Sequence, residues 1–372
     1  MATPTDFHAL RLATVLHEPG NALVVTFDVP GDLSKTFAFK PGQHIALRTL
    51  LDGVEVRRNY SICAGPGEKL RVGIKRVDGG RFSAWAHATL KPGMSIDVMP
   101  PAGRFVLVEG RDAPRHIVLF AAGSGITPCL GIAKQALDHE TATRVTLVYG
   151  NRGRETTMFA DELESLKDRH LGRFELIHVL SREGEADVAL FGGRISGDKV
   201  RALGARLIDY GAAERVFVCG PGSMIKDVRE ALFGLGVTKE RVSHEFFAAG
   251  GGGYRAGAGA SSARTPTPGP SPQGGGEKHQ SIEVVAILDD VRHRLTMLPG
   301  ETVLAAALRA GLKAPYSCQG GMCATCRGRI VEGRVEMLHN YSLEPWELER
   351  GFVLTCQAVA KSARVVVDWD AM

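Results

Sequence analysis

Between residues 20 and 76, short runs of apolar residues alternate with polar ones: Ala22-Leu23-Val24-Val25-Thr26-Phe27-Asp28-Val29, His44-Ile45-Ala46-Leu47-Arg48 and Leu70-Arg71-Val72-Gly73-Ile74-Lys75-Arg76. Pro-Gly pairs at 19–20, 30–31, 41–42 and 92–93 punctuate them. Short strands bounded by such turn dipeptides predict an antiparallel β-barrel over residues 1–108. From Arg115 the rhythm changes to apolar-rich strands, read as buried, at 116–120, 145–149, 174–180 and 215–219, separated by helical stretches such as Ile126 to Leu137 and Asp161 to Arg169. Buried strands alternating with helices predict a parallel α/β sheet over residues 109–247.

The last segment, 281–372, opens with a hairpin-like pair, Ile282 to Leu288 and Arg292 to Leu298. A helix from Thr302 to Ala310 follows, and Gly311 stands where a helix commonly stops. Between the second and third segments, residues 248–280 consist largely of Gly, Ala, Pro, Ser and Thr, including Gly250-Gly251-Gly252-Gly253 and Thr265-Pro266-Thr267-Pro268. That composition offers too little apolar surface to pack, so it predicts a linker.

At 372 residues the chain suits two or three domains. Its 44% hydrophobic and 23% charged residues are those of a globular protein, and its net charge of +4 gives no basic stripe for nucleic acid. No run of 18 apolar residues occurs, and the first residues lack a basic stretch followed by an apolar core. The expectation is a cytoplasmic protein that binds neither membrane nor nucleic acid.

Of the seven cysteines, Cys318, Cys323, Cys326 and Cys356 follow the spacing C-x4-C-x2-C and then a distant C. This is the spacing of a plant-type 2Fe-2S ferredoxin, and it implies a β-grasp (α+β) ferredoxin domain over 281–372. The intervening Gln319-Gly320-Gly321-Met322 and Ala324-Thr325 are mostly small enough for backbone N–H groups to approach cluster sulfur. A four-thiolate zinc site is the alternative, but such sites usually pair two C-x2-C knuckles, and here the fourth cysteine stands alone. Cys63, Cys129 and Cys219 are too scattered for a disulfide framework and read as buried small apolar residues. The histidines have no ligand spacing.

Ala121-Ala122-Gly123-Ser124-Gly125-Ile126-Thr127-Pro128 follows a strand and opens a helix, where an open α/β sheet binds phosphates. Together with Arg58-Asn59-Tyr60-Ser61, Gly79-Gly80-Arg81-Phe82-Ser83 and Cys219-Gly220-Pro221-Gly222, it resembles the motifs of the ferredoxin–NADP reductase superfamily. That resemblance implies FAD held by Arg58 at the pyrophosphate, by Tyr60 and Ser61 at the isoalloxazine and ribityl with Asn59 between, and by the 79–83 turn. It also implies a nicotinamide nucleotide on Gly123, Ser124, Gly125, Ile126, Thr127 and Pro128, with Cys219, Gly220, Pro221 and Gly222 beside the nicotinamide. Ser181 and Arg182 stand where NADPH-selective relatives bind the 2′-phosphate, and a hydroxyl with a cation suits a dianion. Glu245 and Phe247 occupy the stretch where relatives place an acidic residue and an aromatic near flavin. Tyr60, Ser61, Cys219 and Glu245 are the implied catalytic residues.

Longer stretches sharpen the likeness: Arg71 to Ser83, Met99 to Phe105, Tyr149 to Arg152, Pro315 to Gly321, Asn340 to Pro345 and Gly351 to Gln357 are similar to the reductases of bacterial phenylacetate-catabolising oxygenases. One departure is Ala102, where a larger apolar residue is expected in Pro-Pro-x-Gly-Arg-Phe. The resemblance implies electron flow from NADPH through FAD and the 2Fe-2S cluster to a diiron oxygenase. A reductase for another oxygenase, a desaturase or a hybrid-cluster protein is the nearest alternative, and a redox sensor without turnover is an alternative of another class.

Overall fold

A computed structural model of the chain describes residues 6–108, 113–183, 190–246 and 282–371. Phe247 and the expected linker 248–280 lie outside the described residues. The chain divides into two compact units, Met1–Gly251 and Gly252–Met372.

The first unit begins with strands β1 (His8–Glu18), β2 (Ala22–Asp28), β3 (His44–Leu51), β4 (Val54–Ser61), β5 (Arg71–Lys75) and β6 (Ser95–Val98). They form an antiparallel sheet in the order β4-β3-β6-β1-β2-β5, and a bridge between Ile62 and Val72 joins its two ends into a barrel. Strand period explains the interior: Leu23, Val25 and Phe27 of β2 share one core with Leu10, Leu12, Ile45 and Leu47. The other face of β2 is also covered, because Ala22 and Val24 pack into the core of the next domain. This double burial is why β2 reads as an apolar run and not as a clean alternation. Helix α1 (Arg81–Thr89) adds Phe82 and Ala86 to the barrel core.

Next come β7 (His116–Ala122), α2 (Ile126–His139), β8 (Arg144–Asn151), α3 (Ala160–Arg169), β9 (Phe174–Leu180), α4 (Gly197–Gly204), β10 (Ala213–Gly220), α5 (Gly222–Gly234) and β11 (Val242–Phe246). The sheet is parallel, ordered β11-β10-β7-β8-β9. Residues of α2 and α3 belong to one core and residues of α4 and α5 to another, so helices cover both faces. The order reverses between β7 and β10, and a doubly wound sheet opens its ligand crevice at the carboxyl ends of such strands.

Barrel and α/β domain are also joined by charge. The Lys134 ammonium of α2, only 5% exposed, contacts the carboxylates of Glu68 and Glu162, and Arg71 of β5 contacts the same two. Burial alone would raise the Glu162 carboxyl, but Arg71 and Lys134 outweigh it and hold the group below its ordinary value. Four alternating charges across the seam fix the relative placement of the two walls of the crevice.

The second unit contains β12 (Ile282–Leu288), β13 (Val291–Met297), α6 (Val303–Arg309), β14 (Arg327–Glu332), β15 (Val335–Met337), α7 (Pro345–Glu349), β16 (Phe352–Leu354), β17 (Ala358–Ala360) and β18 (Arg364–Asp368). Its main sheet runs β13-β12-β18-β14-β16, with β12 and β18 parallel and the other pairs antiparallel. Helix α6 starts where Thr302 Oγ1 accepts the Ala305 N–H at 3.2 Å and stops before Gly311 at φ +79°. It buries Val303, Leu304, Ala306 and Ala307 on the sheet, the α+β arrangement expected. No helix among the described residues is long and apolar enough to cross a membrane.

Candidate functional site

The crevice of the first unit is lined at its floor by the loop between β7 and α2. Gly125 has no room for a side chain: a Cβ there would lie 2.2 Å from the Cys219 carbonyl oxygen. That contact locks the loop against the end of β10. Gly123 at φ +53° turns the chain, and Thr127 Oγ1 donates to the Ser124 carbonyl at 2.9 Å. Helix α2 begins at Gly125 with no side-chain cap, which leaves its first N–H groups to a ligand. Gly123 and Ser124 are partly open, whereas Gly125, Ile126, Thr127 and Pro128 are buried and shape the loop from beneath.

On the barrel wall, β4 carries Arg58, Asn59, Tyr60 and Ser61. Arg58 is exposed, and the Tyr60 ring lies 5.6 Å from that of Phe82, on the first turn of α1. Gly80 precedes α1 without a side-chain cap, so the first turn of that helix also offers N–H groups. Two members of this expected flavin element turn elsewhere. Arg81 donates to Asp52 Oδ2 at 3.0 Å and to the Leu51 carbonyl, and the Ser83 hydroxyl braces the Gly79-Gly80 turn by accepting from Val77 N and donating to the Gly80 carbonyl.

The two walls meet at Glu245. Parallel pairing of β10 and β11 sets Cys219 beside Glu245, and Ser61 Oγ donates to Glu245 Oε2 at 3.0 Å from the barrel side. His44 Nδ1 lies 3.7 Å from Glu245 Oε1. The Cys219 thiol is wholly buried, and burial, with the Glu245 charge added, pushes its pKa well above the ordinary thiol value. A thiol so held stays protonated and serves as a small neutral wall, not a nucleophile. Gly220 and Pro221 follow, and Pro221 precedes α5 without a side-chain cap, leaving Gly222 exposed on its first turn. Cys63 and Cys129 are buried apolar packing, as expected, with Cys63 pushed up to about 12 by burial.

At the far end of the crevice, Ser181 N donates to the Asn151 carbonyl at 3.0 Å and Arg182 N to the Arg152 carbonyl at 2.8 Å. Both side chains at 181 and 182 are exposed at the end of β9.

In the second unit the cysteines form two pairs. Cys318 and Cys323 lie within hydrogen-bond reach of each other, as do Cys326 and Cys356. The Cys323 thiol and the backbone N–H groups of Gly320, Met322 and Cys323 all face Cys318 and hold its thiol below the ordinary value. The Gly320 N–H points at Cys318 Sγ from 3.3 Å. Gln319, Gly321 and Ala324 all sit at positive φ, which turns the loop's peptides inward; for Ala324 this is strain of about 1–3 kcal/mol kept at a working site. Among the described residues no three His, Cys, Asp or Glu side chains close on one point as a single ion requires. Two thiol pairs suit two irons, two ligands each, better than one tetrahedral zinc. The loop is anchored by Arg327 Nη1, which donates to the wholly buried Glu347 Oε1 at 2.8 Å, and by Thr355 Oγ1, which donates to the Cys326 carbonyl at 2.8 Å.

Three residues escaped the sequence reading. His44, 5% exposed, exchanges backbone hydrogen bonds with Ala102, and a Cβ on Gly103 would lie 2.8 Å from its Nδ1. Gly103 thus makes room for the imidazole, and Ala102 is paired to His44 through its backbone. Lys75 Nζ lies 3.5 Å from where a Cβ on Gly123 would stand, a cation beside the phosphate-type loop. Burial, then the nearby Arg152 charge, lowers its pKa. Gln357 reaches Cys356 Sγ from the next residue in the chain. Only the last was legible in principle, as a polar residue adjoining a ligand.

Family models match three consecutive stretches: the oxidoreductase FAD-binding domain at residues 11–107, the oxidoreductase NAD-binding domain at 119–230 and the 2Fe-2S iron-sulfur cluster binding domain at 287–361. The chain is 39% identical over 99% of its length to a subunit of the 1,2-phenylacetyl-CoA epoxidase of Escherichia coli (strain K12), covering 99% of that protein. It is 32% identical to the ferredoxin reductase component of 3-ketosteroid-9-alpha-monooxygenase of Rhodococcus rhodochrous, over 94% of this chain and 93% of the other. In fold it is similar to phthalate dioxygenase reductase, with a TM-score of 0.57 at 21% identity over 99% of this chain and 100% of that one. Three domains for FAD, a pyridine nucleotide and a 2Fe-2S cluster therefore follow one another in a single oxidoreductase chain.

Proposed function

The chain belongs to the family of oxygenase reductase components that includes the matching subunit of 1,2-phenylacetyl-CoA epoxidase, and on that premise we propose that it passes electrons from NADPH to a phenylacetyl-CoA epoxidase whose active site is diiron. The observation that carries the choice of acceptor is the 39% identity along 99% of both chains. When bound, FAD takes a hydride and the cluster takes one electron at a time, so the chain turns a two-electron donor into single electrons.

The residues divide that work. Arg58 and the uncapped start of α1 would hold the flavin pyrophosphate, and Tyr60 would contact its ring system. The uncapped start of α2, with Gly123, Ser124 and Lys75, takes the nicotinamide nucleotide's pyrophosphate. The buried Cys219 would stand beside the nicotinamide, and the Ser61–Glu245 pair would supply the polar group near the reacting rings. Phe247 is proposed as an aromatic neighbour of the flavin. Residues 1–108, 109–247 and 281–372 are the three working modules, with 248–280 joining the last to the rest, and the protein works in the cytoplasm.

Purified protein mixed with the epoxidase's oxygenase subunits should couple NADPH oxidation to epoxide formation. Uncoupled NADPH oxidation with those subunits, and coupled turnover with a different oxygenase, would move the assignment to that oxygenase. Coenzyme choice rests on Ser181 and Arg182, a hydroxyl and a cation exposed together at the strand end. Changing Arg182→Ala should raise the KM for NADPH roughly ten- to a hundredfold and leave that for NADH nearly unchanged, since a charge-assisted bond contributes about 1.5–3 kcal/mol. Equal use of both coenzymes by the unmutated protein would count against NADPH selectivity. Ser61→Ala should keep FAD bound and slow flavin reduction by about tenfold in stopped-flow, the effect of one lost hydrogen bond at the reacting edge. An unchanged reduction rate would remove Ser61 from the reacting edge.

A further inference from the structure

The end of the chain's last cluster ligand carries a donor that the cysteine spacing does not require. Gln357, 4% exposed, directs its side-chain amide at two acceptors: Nε2 donates to Cys356 Sγ at 3.4 Å and to the Gln319 carbonyl at 3.0 Å. Because both neighbours only accept, the amide nitrogen and not its oxygen must face them. The backbone of Gln357 is fixed on either side, its N–H donating to the Leu354 carbonyl at 2.8 Å and its carbonyl accepting from Leu338 N at 3.0 Å. Its side chain lies against Gly321, where a Cβ would come 3.2 Å from Gln357 Cγ. A small residue in the ligand loop is thus what admits the amide.

We propose that Gln357 is a positioning residue that raises the reduction potential of the 2Fe-2S cluster by donating to the Cys356 thiolate, while tying that ligand to the Cys318–Cys323 loop through the Gln319 carbonyl. This rests on the cluster assignment made above. The reasoning is electrostatic. Reduction adds one negative charge that is spread over the sulfurs, and an N–H dipole aimed at one of them from a buried position favours the more negative state. Most hydrogen bonds to this loop come from the backbone and are fixed by the fold. The one from Gln357 comes from a side chain, so a substitution can remove it without altering the backbone donors, and it acts in the direction that eases electron transfer from flavin.

The test is an EPR-monitored potentiometric titration of the full-length holoprotein. Gln357→Leu removes the donor, and Gln357→Asn retracts it by one methylene. Both should bind the cluster and shift its midpoint to more negative values, on the order of tenfold in the one-electron equilibrium, which is about 59 mV. A cluster-bearing variant with the unmutated midpoint, or a shift to positive values, overturns the proposal. Should neither variant retain its cluster, the unmutated protein decides: after 15N labelling of glutamine side chains, pulsed EPR of the reduced cluster should detect a coupled amide nitrogen, and its absence overturns the proposal as well. Absence of any 2Fe-2S signal in the unmutated protein would instead remove the cluster assignment itself.

Discussion

Cys323→Ser protein is expected to retain FAD and reduce ferricyanide with NADPH at the unmutated rate, yet to lose the low-temperature EPR signal of a reduced 2Fe-2S cluster and all transfer to an oxygenase. The separation of effects follows from the architecture. The flavin and nucleotide walls belong to Met1–Gly251 and the cysteines to Gly252–Met372, so the substitution leaves the hydride path untouched. Within the second unit, Cys323 is one of a pair with Cys318, and an alkoxide is far harder to form than a thiolate. Serine therefore leaves that iron with one firm protein ligand. Iron and sulfide analysis beside the EPR spectrum gives the measurement. Stoichiometric zinc without iron, in protein produced under iron-replete conditions, would defeat the cluster assignment, and an intact signal in the variant would remove Cys323 from the ligand set.

The division into barrel, parallel sheet and α+β module was legible because each has its own apolar period. Strands 174–180 and 282–288 were read to the residue. Strand β4 was harder. Its Val54-Glu55-Val56-Arg57-Arg58 is mostly polar, and it is a strand because β3 pairs with it along eight positions, a tertiary cause invisible to local pattern. The 2Fe-2S domain was legible for the opposite reason, since cysteine spacing is a local constraint written directly in the chain. Arg81 and Ser83 show the limit of motif reading: the motif locates the turn and the helix start, but where each side chain points depends on Asp52, which belongs to no motif, and on the backbone N–H of Val77, which residue identity does not specify. His44 was missed on the same account, because what faces it, Glu245 and Gly103, is remote in sequence and brought to it by barrel closure and domain docking.

Two neighbouring glycines should respond very differently to alanine, and the contrast tests how the nucleotide loop is held. Gly123 has φ +53° but open space around it, with Lys75 Nζ as the nearest atom at 3.5 Å from a new Cβ. Gly123→Ala should therefore cost only the left-handed backbone strain, about 1–2 kcal/mol. Gly125 has an ordinary φ of −61°, so backbone conformation imposes nothing, but its new Cβ would sit 2.2 Å from the Cys219 carbonyl oxygen and 2.6 Å from the carbon. Those are main-chain atoms of a central strand, and they cannot swing aside as a side chain can. The β7–α2 loop must lift, with a stability cost of about 3 kcal/mol at the upper end of overpacking. The lifted loop carries the helix start proposed to receive the pyrophosphate, and a misplacement of about 1 Å is enough to slow a positioned reaction on the order of a hundredfold. Gly125→Ala should thus show a lower Tm and flavin reduction by NADPH slowed about a hundredfold, while dithionite still produces the full cluster signal from the separate second unit. Equal Tm and equal reduction rates for the two variants would mean that the Gly125–Cys219 contact does not hold the loop, and the crevice would need another origin.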